Sequence, residues 1–444
     1  MVDLFFISFL VVLSTCGAFL GCLTGLVPGL HVNNIALILL SLSSFIISLF
    51  VFLGENNALL LIAAFITSVA LAHTFVNILP ATFIGAPEED TALSLLPAHS
   101  LLLKGRGYEG VYLSALGSFG AVILSILLLY PIRFALIEPI SLYSILRRIM
   151  PWVLIAISII MITTEKAKID LFNVKNTKIK SILGLLMAAF VFILSGVFGI
   201  ILNKINVCSP IGLPAPILFP TLAGLFGMPT LIHSYITKPK IPEQIVEKPV
   251  IGEKAKTLIS IITGSLAGIL VSIIPGITSA TGTVIAMTAR GETDKKQTLI
   301  TLSAVNTACA FFVTAVLFMI LRPRSGAAIA VNELIMVNKW NNLFIPPLNL
   351  LFLTMAMLIS ATISFNVTIF LGKKFAEKFT EIPYQKIIKG TMSFLTILVI
   401  LFTGVEGLLI FIIATFIGLI PINWGVRRSH CMGVLLIPII LAFL

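Results

Sequence analysis

Gly17-Ala-Phe-Leu-Gly21-Cys-Leu-Thr-Gly-Leu-Val-Pro28-Gly29 returns 247 residues later as Gly264-Ser-Leu-Ala-Gly268-Ile-Leu-Val-Ser-Ile-Ile-Pro275-Gly276. Both stretches keep the spacing Gly-x3-Gly-x6-Pro-Gly, and both are apolar up to the proline. Glycines four apart let two helices approach closely, and Pro-Gly ends a helix where it falls. A polar cluster follows each break, His31, Asn33 and Asn34 in the first copy and Thr278, Ser279, Thr281 and Thr283 in the second. Repetition at a fixed spacing decides the architecture: two related halves, each opening on a broken apolar helix.

The rest of the chain fits that frame. Of 444 residues 58% are apolar and 11% charged, with a mean hydropathy of +1.13. Soluble chains carry about 25% charged residues, so a water-soluble enzyme is excluded. With roughly 20 apolar residues to a spanning helix, the chain has room for about a dozen. The expected fold is an all-α polytopic membrane protein of about 10–13 segments with broken, re-entrant helices. The halves are expected at 1–205 and 257–444, with a proline-rich segment and basic linker over 206–256 between them. The block 390–420 is long enough for two short helices, with Glu406 near the break. The N-terminus lacks a basic stretch ahead of its apolar run and is expected to be a first helix, not a cleaved leader.

Charge gives orientation. The balance is +11, and three loops hold most of it: 163–180, 238–256 and 372–389 carry five Lys each against two, three and two acids. Lys and Arg in short loops stay on the cytoplasmic side, so all three are placed there, in the cytoplasmic membrane. A basic balance of this kind is a topology signal and not a nucleic-acid footprint. The five cysteines have no paired spacing and read as small apolar residues.

Breaking a helix inside a membrane leaves unpaired N–H groups at a positive dipole end, which suits an anion. Matching breaks in two halves are the sequence pointer to a transporter binding site. On that ground Pro28, Gly29, His31, Asn33, Asn34, Pro275, Gly276, Thr278, Ser279, Thr281, Asn306, Arg322 and Arg324 are candidate substrate-binding residues. Each has a plainer reading beside it. Asn33 or Asn34 serves as a helix cap, the Pro-Gly pairs are structural, Asn306 and Thr307 bond between helices, and the arginines belong to an ordinary loop. Glu88, Glu89, Asp90 and Thr91 follow Pro87; they are either first-turn acids of a helix or a cation- or proton-coupling site.

The run Gly17 to Leu40 resembles the opening signature of the large membrane subunit of tripartite tricarboxylate transporters, the TctA family. Gly85-Ala-Pro-Glu-Glu-Asp-Thr-Ala-Leu-Ser-Leu-Leu-Pro97, Lys104-Gly-Arg-Gly107 and Ser114-Ala-Leu-Gly-Ser118 are similar to that family's second block. Asn306-Thr-Ala and Pro323 to Leu334 resemble its counterpart in the second half. The chain departs from the pattern at His31, at Ala72-His-Thr-Phe-Val-Asn77, at Ala86-Pro87 and at Pro97-Ala-His99.

The resemblance implies a permease that works with a small membrane subunit and an extracytoplasmic solute-binding protein; a homodimer stays open. The expected function is transport of a small organic anion, a carboxylate, coupled to Na⁺ or H⁺, with no other cofactor and no metal. A carrier or flippase of lipid-linked phosphates is the alternative. An intramembrane lipid-phosphate enzyme is the weaker rival, because no Ser/His/Asp set or His-Glu-x-x-His stands in the chain.

Overall fold

The structure is a computed structural model that describes residues 4–27, 32–41, 43, 47, 50–85, 95–137, 140–163, 165, 177–205, 207, 209–210, 217–237, 242–247, 249, 253–274, 279–291, 294–342, 344–379 and 384–443. All regular structure among them is helical. The helices are α1 (Leu4–Gly25), α2 (Val32–Ser41), α3 (Glu55–Val76), α4 (Leu95–Leu102), α5 (Gly107–Leu136), α6 (Leu142–Thr163), α7 (Thr177–Leu202), α8 (Leu218–Leu222), α9 (Met228–Thr237), α10 (Lys254–Ile273), α11 (Ser279–Arg290), α12 (Lys295–Ile320), α13 (Gly326–Leu334), α14 (Leu348–Phe379), α15 (Tyr384–Trp424) and α16 (Gly433–Phe443). Eight described helices are long and apolar enough to cross a membrane, and two shorter apolar helices cover Arg148–Thr163 and Arg428–Phe443.

Two of the eight form the centre. The most apolar stretches of the helix over Glu55–Ile84 and of α12 are 89% and 83% buried, against 33–61% for the other six. A helix that is apolar all round and buried is a core helix, and the others wrap these two with outward faces of bare Leu, Ile and Phe.

The two glycine ladders pack against this pair. A Cβ on Gly17, Gly21 or Gly25 would run into the carbonyl oxygens of Phe65, Val69 and His73 on α3. One on Gly264 or Gly268 would meet those of Thr301 and Val305 on α12. Both pairs advance in step along the chain, so α1 runs parallel to α3 and α10 parallel to α12. Further hydrogen bonds tie these core helices to α14 and α5. Ser360 on α14 donates to the Ser68 carbonyl of α3 at 2.7 Å, and Ser114 on α5 meets Ser303 on α12 at 2.7 Å.

These contacts fix the helix directions. Phe6 meets Phe352 edge-on and Cys22 reaches Ser364, so α14 runs with α1 and α3. Gly372 lies against Val111 and Phe365 against Phe119, so α5 runs the other way. Ile245 N–H donates to the Gly105 carbonyl where α5 begins, and Arg322 reaches Tyr143 where α6 begins. The helix ends that carry the three basic loops therefore gather at one end of the molecule. There Glu109, in the first turn of α5, pairs with Arg106 at 2.5 Å and with Lys296 of α12 at 2.6 Å.

Proline explains the irregular pieces. Pro80 and Pro229 have no N–H to offer the carbonyls four residues back. The chain widens into π turns at Pro80–Ile84 and Ala223–Gly227, a device seen mostly as a single turn inside helices. The Leu225 carbonyl, which Pro229 leaves free, is approached instead by Gly418. Helix α15 is broken at Gly404, whose φ of 64° and ψ of −161° are non-helical. On one arm Lys389 sits over the Tyr235 ring and Phe402 meets Phe219; on the other, Gly224 abuts Phe411 and Ala414. The first arm runs against the Leu218–Thr237 segment and the second runs along it, so the chain folds back at Gly404. Two helices lie where 390–420 reads as two, and Glu406 is exposed two residues past the turn.

Candidate functional site

Where α3 crosses α12 the core turns polar. Thr74 Oγ1 and Thr307 Oγ1 are 3.1 Å apart and buried. On the neighbouring residue of α3, His73 Nδ1 lies 3.2 Å from Thr24 Oγ1 of α1. Asn77 and Asn306 are 2% and 5% exposed on the same two helices. Every one of these side chains is neutral or a histidine, and no described carboxylate stands at the crossing. Hydroxyls, amides and an imidazole give both donors and acceptors, enough to orient a polar ligand without a fixed counter-charge.

The second glycine ladder delivers a further set to the same level. Helix α11 packs back on α10 and α12, with Gly282 against Val271 and Val305. That places Ser279, Thr281 and Thr283 inside, at 5%, 0% and 3% exposure. The Thr281 hydroxyl is buried with no hydrogen-bond partner, and such a group is costly unless something uses it.

Arg324 stands just above. Its Nη1 donates to the Val271 carbonyl at 3.2 Å, in the last turn of α10 before the Pro275-Gly276 break. A cation there complements the negative end of the helix. Burial pushes the guanidinium down to about 10, so it keeps its charge at neutral pH.

Of the sequence-derived residues, Ser279, Thr281, Asn306 and Arg324 thus belong to one region around α10–α12. Arg322 does not: it is exposed, and it donates to the Tyr143 hydroxyl at 3.4 Å on the surface. Pro28, Gly29, His31, Pro275, Gly276, Thr278, Glu88, Glu89, Asp90 and Thr91 lie outside the described residues. Asn33 and Asn34 are described in backbone only, inside the first turn of α2.

Sequence reasoning noted Thr74 and Asn77 only within the stretch 72–77 that departs from the family pattern where a substrate is expected, and did not single them out as site residues. The available signal was the run of polar residues Ser68, His73, Thr74 and Asn77 down an otherwise apolar helix. It also missed a buried charged group at the basic end. His430 Nε2 and Glu165 Oε2 are 2.5 Å apart, both side chains at most 1% exposed, and Arg427 Nε donates to the same oxygen at 3.2 Å. Burial alone would raise the Glu165 carboxyl. The hydrogen bond to His430 and the charge interactions with His430 and Arg427 outweigh it and hold the group below its ordinary 4.5.

An all-helical membrane-type bundle with a polar centre at the crossing of its two core helices is the build of a multi-pass transport protein. The family model of the tripartite tricarboxylate transporter TctA family matches residues 11–433. The chain belongs to that family, whose members are transporters. It is also 28% identical over 433 residues to an uncharacterized protein of Methanocaldococcus jannaschii, covering 96% of this chain and 97% of that one. No solved structure matches it.

Proposed function

We propose that the chain is the permease of a secondary transporter that moves a small organic anion, a carboxylate, across the cytoplasmic membrane. The observation that carries this reading is the buried set Thr74, Asn77, Asn306 and Thr307 at the crossing of α3 and α12, next to the unpartnered Thr281 hydroxyl. Two glycine ladders hold α1 and α10 against the core helices, and in this reading the Pro-Gly break of each half lies near that crossing. The N–H groups freed at the breaks favour negative charge, and Arg324 adds a fixed cation beside the second one. The two halves are duplicates in this reading, and alternating access is one part moving against the other. The drive is a Na⁺ or H⁺ gradient, with coupling at Glu88, Glu89, Asp90 and Thr91. A small membrane subunit and an extracytoplasmic binding protein complete the system.

The test is uptake of labelled di- and tricarboxylates into proteoliposomes, with Na⁺ and H⁺ gradients imposed separately. Uptake should depend on one gradient. Asn306→Ala and Thr307→Val should each lower it tenfold or more while the protein stays folded. Unchanged uptake in both variants would remove the crossing from the substrate path. Failure of every carboxylate, with the partner subunits supplied, would turn attention to lipid-linked phosphates.

A further inference from the structure

At the end of the molecule opposite the basic loops, α5 and α12 stop and α14 begins. The chain between α13 and α14 folds there around a cavity of about 350 Å³, lined by Asn338, Lys339, Trp340, Asn341, Asn342 and Asn349 together with five further apolar residues. Small-molecule sites start at roughly this size, and within a mainly apolar lining four asparagines and a lysine stand together. Its wall has a charge behind it. Arg133, in the last turn of α5, is 4% exposed, and its Nη2 donates to the carbonyls of Asn341 at 2.9 Å and Trp340 at 3.3 Å.

The remaining donors of Arg133 are unused: Nε and Nη1 are buried and have no partner. Among the described residues no carboxylate pairs with it. Trp340 is 1% exposed, stands edge-on to Tyr130 with ring centroids 5.4 Å apart, and leaves its indole Nε1 without a partner. Three buried donors and an uncompensated guanidinium therefore sit in and behind one cavity wall. A buried cation without a counter-charge is strongly destabilising. A contribution from the α5 C-terminal dipole offsets only part of it, since the guanidinium bonds to loop carbonyls and not to those of α5.

We propose that this cavity is a second anion site, which takes a small carboxylate before it reaches the helix crossing. Arg133 supplies the charge from behind Trp340 and Asn341, Lys339 supplies a second charge at the rim, and the asparagine amides donate to the carboxylate oxygens. The assignment rests on the proposed transport function. With the basic loops on the cytoplasmic side, the cavity faces outward, at the end from which an anion is loaded.

The experiment uses the full chain in lipid nanodiscs with Trp152→Phe and Trp424→Phe, so that Trp340 is the sole tryptophan. Its fluorescence is titrated with citrate, succinate and acetate against chloride at matched ionic strength. A saturable change with citrate or succinate is expected, with Arg133→Gln weakening it tenfold or more and Arg133→Lys weakening it less. Gly390→Ala, at a position with open space around it, should leave it unchanged. If Arg133→Gln does not fold, the exposed pair Asn338→Ala with Lys339→Gln should weaken binding severalfold. No saturable change, an equal response to chloride, or undiminished binding in Arg133→Gln (or, failing that variant, in the exposed pair) overturns the site. Lost binding with transport intact in the wild type sinks this inference alone. Saturable binding without transport sinks the transport reading and leaves the cavity standing as an anion site.

Discussion

The helix pairs α1–α3 and α10–α12 are packed alike and furnished differently. In each, a glycine ladder presses one helix onto the backbone of a core helix running the same way. Yet α3 carries His73, Thr74 and Asn77 at the crossing, whereas α12 carries Asn306 and Thr307, with Arg324 beyond its end. Packing at this closeness permits only glycine, so sequence and structure agree there in both pairs. Polar groups can be moved along a core helix without disturbing that packing, so they diverge. The lesson is that the ladder sets the frame and the crossing sets the chemistry.

The sharpest way to break the comparison is to fill both ladders. Leucine at Gly21 or at Gly268 meets backbone carbonyls, not the yielding tip of a side chain. Overpacking in cores costs about 1–3 kcal/mol, and a collision with backbone exceeds that range. Gly21→Leu and Gly268→Leu should therefore both abolish a monodisperse, folded product on size-exclusion chromatography. Gly390→Ala is the control: nothing lies within 4 Å of the added Cβ, and a helical Gly→Ala change is neutral to stabilising. If one ladder variant folds and the other does not, the two pairs are not equivalent frames.

A second contrast separates the crossing from the charged group at the basic end. No described carboxylate stands at the crossing, so acid should act on the fold through Glu165. Its folded carboxyl lies below the ordinary 4.5, so it stabilises the folded protein in full above that value. The contribution fades as pH falls through the lower, folded value. Removing one partner of a buried pair costs roughly 3 kcal/mol. Glu165→Gln should thus lower the Tm at neutral pH by several degrees, with the gap to wild type closing in acid. A gap that stays constant with pH would show that packing, and not charge, holds Arg428–Met432 in place.

Much of the frame was legible because it is written in residue types that permit nothing else. Gly-x3-Gly and the apolar blocks each have one physical consequence, and the break near Glu406 appears at Gly404. The crossing was legible only in part. Asn306 and Thr307 stood out as polar residues in an apolar helix, but their partner Thr74 lies 233 residues away, and no local pattern announces such a contact. Arg133 and the pair Glu165–His430 were invisible for the same reason. An arginine near a helix end and a glutamate in a basic loop both read as solvent-facing until the fold buries them.

The smallest effect tests the frame most finely. Both core helices end in a residue with left-handed backbone: Gly85 at φ 78° after the π turn of the first, Leu321 at φ 53° after α12. Each is followed two residues on by proline, Pro87 and Pro323. That conformation is free for glycine and costs an L-residue about 1–2 kcal/mol, so Leu321 holds strain that Gly85 does not. A Cβ at Gly85 would meet only the Leu231 side chain at an ordinary 3.5 Å, so the backbone angle alone decides the outcome. Gly85→Ala should lower stability by about 1 kcal/mol. Leu321 is 46% exposed, so its side chain contributes little burial, and Leu321→Gly should raise stability by a few tenths of a kcal/mol after the entropy of glycine is counted. Thermal unfolding in detergent, read for both variants beside wild type, should give shifts of opposite sign. Shifts of the same sign would mean that the two helix ends, matched in backbone, are held by different surroundings.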